Sequence, residues 1–148
     1  MKIAVAALVM IGATALPTLA TAGEPNDMFM MRETQESPED VVLAIKSFVE
    51  ENEWLYLAEF KVKGGEVTVV NICYPPIGPD IWAAGMHVAA MMPCGHIGVY
   101  AEGGKTIISM LHPRFMTALY PDPNLENAVT TVTPQFEAML EEVTKPLD

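Results

Sequence analysis

The chain has 148 residues, 51% of them hydrophobic, and sets 19 acidic against 8 basic side chains for a net charge of −11. A surface this acidic lacks the clustered Lys and Arg that neutralise phosphates, which excludes nucleic acid and anionic membrane surfaces as partners. The length suits one domain around one core.

Residues 1–22 read as a cleaved export signal. Lys2 precedes an apolar run over residues 3–16, and Ala20-Thr21-Ala22 supplies the small-x-small pattern that a signal peptidase accepts. The run is shorter than the about 20 residues that span a bilayer. The expectation is a mature chain from about Gly23, periplasmic or secreted, with no membrane insertion. Losing Lys2 takes the net charge to −12. In such a compartment thiols persist as disulfides.

Residues 23–36 form an N-terminal arm, in which Pro25, Asn26 and Asp27 precede Met28, Phe29, Met30 and Met31. It is either mobile or a first edge strand. Its methionines suit packing on the sheet or on a dimer partner better than the loose Met motifs of copper carriers.

A single domain is expected over residues 37–148. Ser37-Pro38-Glu39-Asp40 is a helix start, with Ser as N-cap, Pro in the first turn and acids at the positive end of the dipole. Val41, Val42, Ile45, Phe48 and Val49 follow at helical spacing. Over residues 54–62 the period turns towards two, and Gly64-Gly65 supplies a two-residue turn into the Val- and Ile-rich run 66–73, a hairpin. Pro75, Pro76 and Pro79 end that strand, and residues 80–88 read as a short helix weakened by Gly85. A strand over about 91–101, a turn at Gly103-Gly104 and a return over 105–111 make a second hairpin. Thr133-Pro134 opens a last helix carrying Phe136, Met139, Leu140 and Val143 on one face. This order predicts an α+β fold, an antiparallel sheet of about four to five strands with helices packed on one face.

Ile72-Cys73-Tyr74-Pro75, then Met92-Pro93-Cys94, then Val99-Tyr100-Ala101-Glu102-Gly103-Gly104-Lys105-Thr106 resemble the domain-of-unknown-function 302 family. The family pattern has an Ile-Cys-Asn-Pro-like turn, a Leu-Pro-Cys-like strand start and a Val-Val-Tyr-Glu strand. The likeness covers roughly residues 37–145 and is strongest over 72–112. It implies a TATA-binding-protein-like α+β fold and a homodimer. Tyr74 stands where Asn is common, and Gly95-His96 replace the usual Asn or Arg, so roles of those usual residues do not carry over and His96 is a specialisation to test.

The densest chemistry lies between the two cysteines. Cys73 ends one strand and Cys94 opens another, so a disulfide closing a loop of about 20 residues is one reading, contributing about 3 kcal/mol. Thiolates that bind a soft metal or exchange electrons are the other. Without Cys-x-x-Cys or Cys-x-x-Cys-His, neither a thioredoxin-like oxidoreductase nor covalent c-type haem is expected.

Imidazole and thioether groups suit copper, and His with Met also ligate haem iron. His96 is the first candidate ligand, with His87, Met91, Met92, Cys94, Cys73 and His112 beside it. His87 and Met91 share a face if their helix runs that far, and His112 approaches the same end of the sheet as His96. Met91, Met92, Met110, Met116 and Met139 serve equally as core packing. No Gly-x-Ser-x-Gly, His-Glu-x-x-His or phosphate-binding Gly loop is present, so an enzyme is not expected. The sequence points to an exported binding protein that captures a soft metal, copper ahead of haem, or another small ligand. A disulfide-stapled, non-catalytic dimer is the alternative, and a cysteine-based redox protein comes third.

Overall fold

A computed structural model of the chain describes residues 27–92 and 95–146. The export signal and Cys94, hence the Cys73–Cys94 pairing, lie outside the described residues. Five strands make one antiparallel sheet: β1 (Phe29–Thr34), β2 (Leu55–Val62), β3 (Val67–Cys73), β4 (Gly95–Glu102) and β5 (Lys105–Leu111). Their spatial order is β1-β5-β4-β3-β2. The helices α1 (Pro38–Glu51), α2 (Gly78–Ala84), α3 (Phe115–Leu119) and α4 (Pro123–Glu142) complete the α+β fold.

Of the two readings of the arm, the edge strand holds for residues 29–34. β1 pairs with β5 from Phe29↔Leu111 to Thr34↔Thr106. Thr106 Oγ1 donates to Glu36 O at 2.6 Å and Thr34 Oγ1 to Thr144 O at 3.3 Å, so polar contacts lock the far end of this strand to the chain on either side.

The first helix starts as its sequence signal requires. Ser37 Oγ accepts from the Asp40 N–H at 3.2 Å and donates to Asp40 Oδ2 at 2.6 Å. Val41, Val42, Ile45 and Val49 are buried against the sheet, and Phe48 is half-buried. At the helix end Asn52 caps the Phe48 carbonyl, and Glu53 takes a left-handed φ of 60° that turns the chain into β2.

The β2–β3 turn corrects the two-residue expectation. Residues 63–66 separate the pair Val62↔Val67, with φ of 51° at Lys63, 67° at Gly64 and 100° at Gly65. Three consecutive left-handed residues make a wider loop than two glycines alone would. The second hairpin keeps the expected form: Glu102↔Lys105 flank Gly103 and Gly104, whose φ of 60° and 80° suit a type I′ turn.

Three boundaries also move. The short helix ends at Ala84, and residues 86–91 form a 3₁₀ turn, because Gly85 adopts φ 122°, ψ 150° and breaks the α-helix. β4 opens at Gly95. The last helix begins eleven residues before Pro134: Asp122 Oδ1 accepts from Asn124 N–H at 2.8 Å, and Pro123 occupies its first turn. Pro134 therefore sits inside α4, on its exposed side. It removes one N–H from the ladder, yet the buried stripe Leu125, Ala128, Val132, Phe136, Met139 and Leu140 outweighs that loss. Each fully buried side chain of this kind contributes about 1.5–3 kcal/mol.

The core lies between the sheet and its helices. Val70 and Ile72 of β3, Ile97 and Val99 of β4, and Ile108 and Met110 of β5 face it at 0–1% exposure. Alternation sends Val67, Val69, Asn71 and Cys73 to the opposite face.

Candidate functional site

Two neighbouring features could bind something: the sheet face opposite the helices, and a crevice at its β2 end. On the open face the register stacks side chains in rows across the strands. Met31, Ser109, Gly98, Val69 and Phe60 form one row; Glu33, Ile107, Tyr100, Val67 and Val62 form the next. Beyond the first row lie Phe29 with Leu111, and His96 with Asn71 and Ala58. Phe29, Phe60 and Val62 are 48%, 46% and 39% exposed. The charged groups that the register puts on this face cluster at one end, where Lys105 pairs with Glu33 and faces Glu102. Gly98 sits close against Ser109 in the middle of the face, where a Cβ would lie 2.9 Å from Ser109 Oγ.

His96 stands at the opposite end from those charges. Its Nδ1 lies 2.9 Å from Asn71 Oδ1. The amide oxygen only accepts, so Nδ1 is the donor in this contact and Nε2 is the ring nitrogen left for another partner. A metal-binding imidazole needs this arrangement, with the far nitrogen fixed by an acceptor. Cys73 lies two positions along from Asn71 on the same face, a diagonal neighbour of His96 at about 7–8 Å.

The crevice begins where β3 stops. Pro75 and Pro76 lack N–H groups and turn the chain through a 3₁₀ segment, Pro75–Ile77, into α2, which packs on α4. Ile77 and Ile81 anchor this turn in the core at 4% and 1% exposure. Tyr74 is held from behind by Trp54 at 5.0 Å between ring centroids, and Trp54 in turn touches Phe48 and Phe136. Between this turn and the start of β2 lies a cavity of about 260 Å³, lined by Leu55, Cys73, Tyr74, Trp82 and Met92 among others.

The remaining sequence candidates are dispersed. His87 lies exposed on the 3₁₀ turn, its ring 5.2 Å from that of Tyr120 and perpendicular to it. It does not share a face with Met91: at three residues per turn, positions four apart diverge by about 120°. Met91 and Met92 are half-buried, packed against the core. His112 is half-buried at the end of β5, where its Nδ1 accepts the Arg114 N–H at 3.1 Å. Burial, then the Arg114 charge, push its pKa below the ordinary histidine value of 6.5, with Glu137 and Asp27 opposing. Met110, Met116 and Met139 are core at 0–1% exposure. Met30 and Met31 alternate to opposite faces and form no cluster. Among the described residues no three His, Cys, Asp or Glu side chains are grouped to hold a metal. No described helix is long and apolar enough to cross a membrane.

Sequence reasoning missed Asn71, Trp82 and Gly98. An Asn inside the Val- and Ile-rich run 67–73 is the signal that could have drawn attention to the first.

A five-stranded antiparallel sheet with helices on one side and an apolar face on the other defines a small α+β module. The family model described as "Domain of unknown function DUF302" matches residues 30–143, and the chain belongs to that family. It is similar in fold to the uncharacterized conserved protein DUF302 from Bacillus stearothermophilus, with a TM-score of 0.71 at 16% identity over 80% of this chain and 99% of that one. No curated protein matches the sequence.

Proposed function

We propose that the chain is an exported, non-catalytic interaction module whose open sheet face docks on a second copy of itself. The apolar character of that face away from its Lys105–Glu33–Glu102 end carries the reading. Five strands about 4.8 Å apart and about seven residues long at about 3.3 Å each give a face of about 550 Å². Two such faces bury about 1,100 Å², above the about 1,000 Å² that marks a specific interface. The net charge of −11 makes copies repel over most of their surface, so the apolar part of this face is where they can meet.

The test is molar mass by light scattering and sedimentation on the purified chain. A dimer that dissociates in Val69→Lys, with unchanged far-ultraviolet circular dichroism, supports the reading; a wild-type monomer at high concentration sinks it. In the same reading residues 1–22 direct export, and the protein recovered from the periplasm begins at about Gly23 by mass spectrometry.

A second reading, capture of a soft metal such as copper, is favoured by one observation: Asn71 pins Nδ1 of His96 and leaves Nε2 available beside Cys73. Haem would use the same imidazole. Cu(I) or haem uptake that disappears in His96→Ala supports it, and no uptake by the wild type ends it.

A further inference from the structure

We infer that the crevice beside the β3–α2 turn binds a small, uncharged aromatic molecule that carries a hydrogen-bond acceptor. Three independent properties of the crevice lead there.

The first is size and shape. A cavity of about 150 Å³ is enough for benzene. The 260 Å³ here therefore takes a bicyclic ring. Its floor is Ile77 and Ile81, both anchored in the core, and the Trp54 cluster behind Tyr74 keeps one wall rigid. A preformed wall reduces the ordering cost of binding.

The second is charge. Among the described residues that line it none is Asp, Glu, Lys, Arg or His, although the chain carries 19 acidic side chains. An anion would meet repulsion from the surrounding surface and no cation inside; a cation would lose its hydration without a carboxylate to replace it. A neutral ring loses little on entry and gains contact with two aromatic side chains and the Met92 thioether.

The third is Trp82. It leaves 46% of its surface exposed on a helix whose other large apolar residue, Ile81, is buried. Its Nε1 lies 3.7 Å from where a Gly78 Cβ would stand, so the missing side chain leaves open space next to an indole N–H. Gly78 precedes Pro79 in helical conformation, which also suits glycine. Indole nitrogen only donates. A ligand acceptor, such as a ring nitrogen or a carbonyl, satisfies it.

Quinoline is a direct probe: two fused rings, neutral at pH 7.5, one acceptor nitrogen. The purified chain, labelled with ¹³C at the methionine methyls and assigned with Met92→Leu, is titrated and followed by NMR. A saturable shift of the Met92 methyl, with that of the 77%-exposed Met86 unmoved, is the expected result. Trp82→Phe keeps a ring and removes the donor, so it weakens quinoline binding about two- to tenfold. The anion 2-naphthoate binds more weakly than quinoline. The proposal is overturned if Met92 does not move up to the solubility limit, if Met31 on the open face moves in its place, or if 2-naphthoate binds as tightly as quinoline. Association through the open face is read by molar mass and stands or falls separately.

Discussion

The two faces of the sheet are built from the same strands and meet opposite fates. In β4, Ile97 is fully buried while His96, the adjacent residue, is exposed. In β3, Val70 and Ile72 lie under the helices while Val69 and Asn71 face away. Both faces are rich in apolar side chains, yet the described helices cover only one of them. The covered face holds the fold, and the uncovered one is free to serve binding, because its side chains gain little from folding alone.

The sharpest way to break this contrast is to remove a large ring from each side. Phe136→Ala, in the core, is expected to lower unfolding free energy by about 3–5 kcal/mol. Phe60→Ala on the open face should shift monomer stability by no more than about 0.5 kcal/mol. Urea denaturation at low protein concentration reads both, and equal losses would mean that the open face also supports the monomer.

Two glycines of β4 give the next test. A methyl at Gly95 would run into Met110 and, at 3.1 Å, Ile72, all on the covered side. Gly95→Ala is therefore expected to cost about 1–3 kcal/mol. Gly98→Ala crowds the Ser109 hydroxyl, which can rotate away, and should cost clearly less. Thermal unfolding separates the two.

The covered side also depends on its helices starting correctly. Asp122→Ala removes the cap of α4 and should cost about 1 kcal/mol, seen as a lower urea midpoint.

The smallest effect concerns pH. The folded-state pKa of His112 lies below its unfolded value, so the unfolded chain binds the proton more tightly. Stability is then unaffected by this group well above pH 6.5 and falls as pH drops through 6.5 towards the lower folded value. Protonation also removes the acceptor for Arg114 N–H. His112→Asn keeps an acceptor but no titratable ring, so the fall in urea midpoint from pH 8 to pH 5 should be smaller than in the wild type. An unchanged difference would assign the acid sensitivity to other groups.

Much of the fold was legible because local rules agree with it. Ser37-Pro38 starts α1, Gly103-Gly104 closes the β4–β5 hairpin, and the Val- and Ile-rich run 66–73 marks β3. The last helix was misread because Pro134 signals a start, whereas the buried stripe from Leu125 onward overrides the broken hydrogen bond. The candidate site was less legible. His96 was visible by residue type, but its partner Asn71 lies 25 positions away and is brought alongside only by the β3–β4 register.

The sequence by itself determined the α+β class, the start of α1, the two hairpins and the acidity of the chain, since these follow from spacing and composition. The tertiary structure alone decided that the four described helices all pack on one sheet face, that His87, His96 and His112 part company, and that Tyr74, Trp82 and Met92 line one crevice. Such juxtapositions depend on strand register and on helix packing against a shared core, which join residues that no local pattern relates.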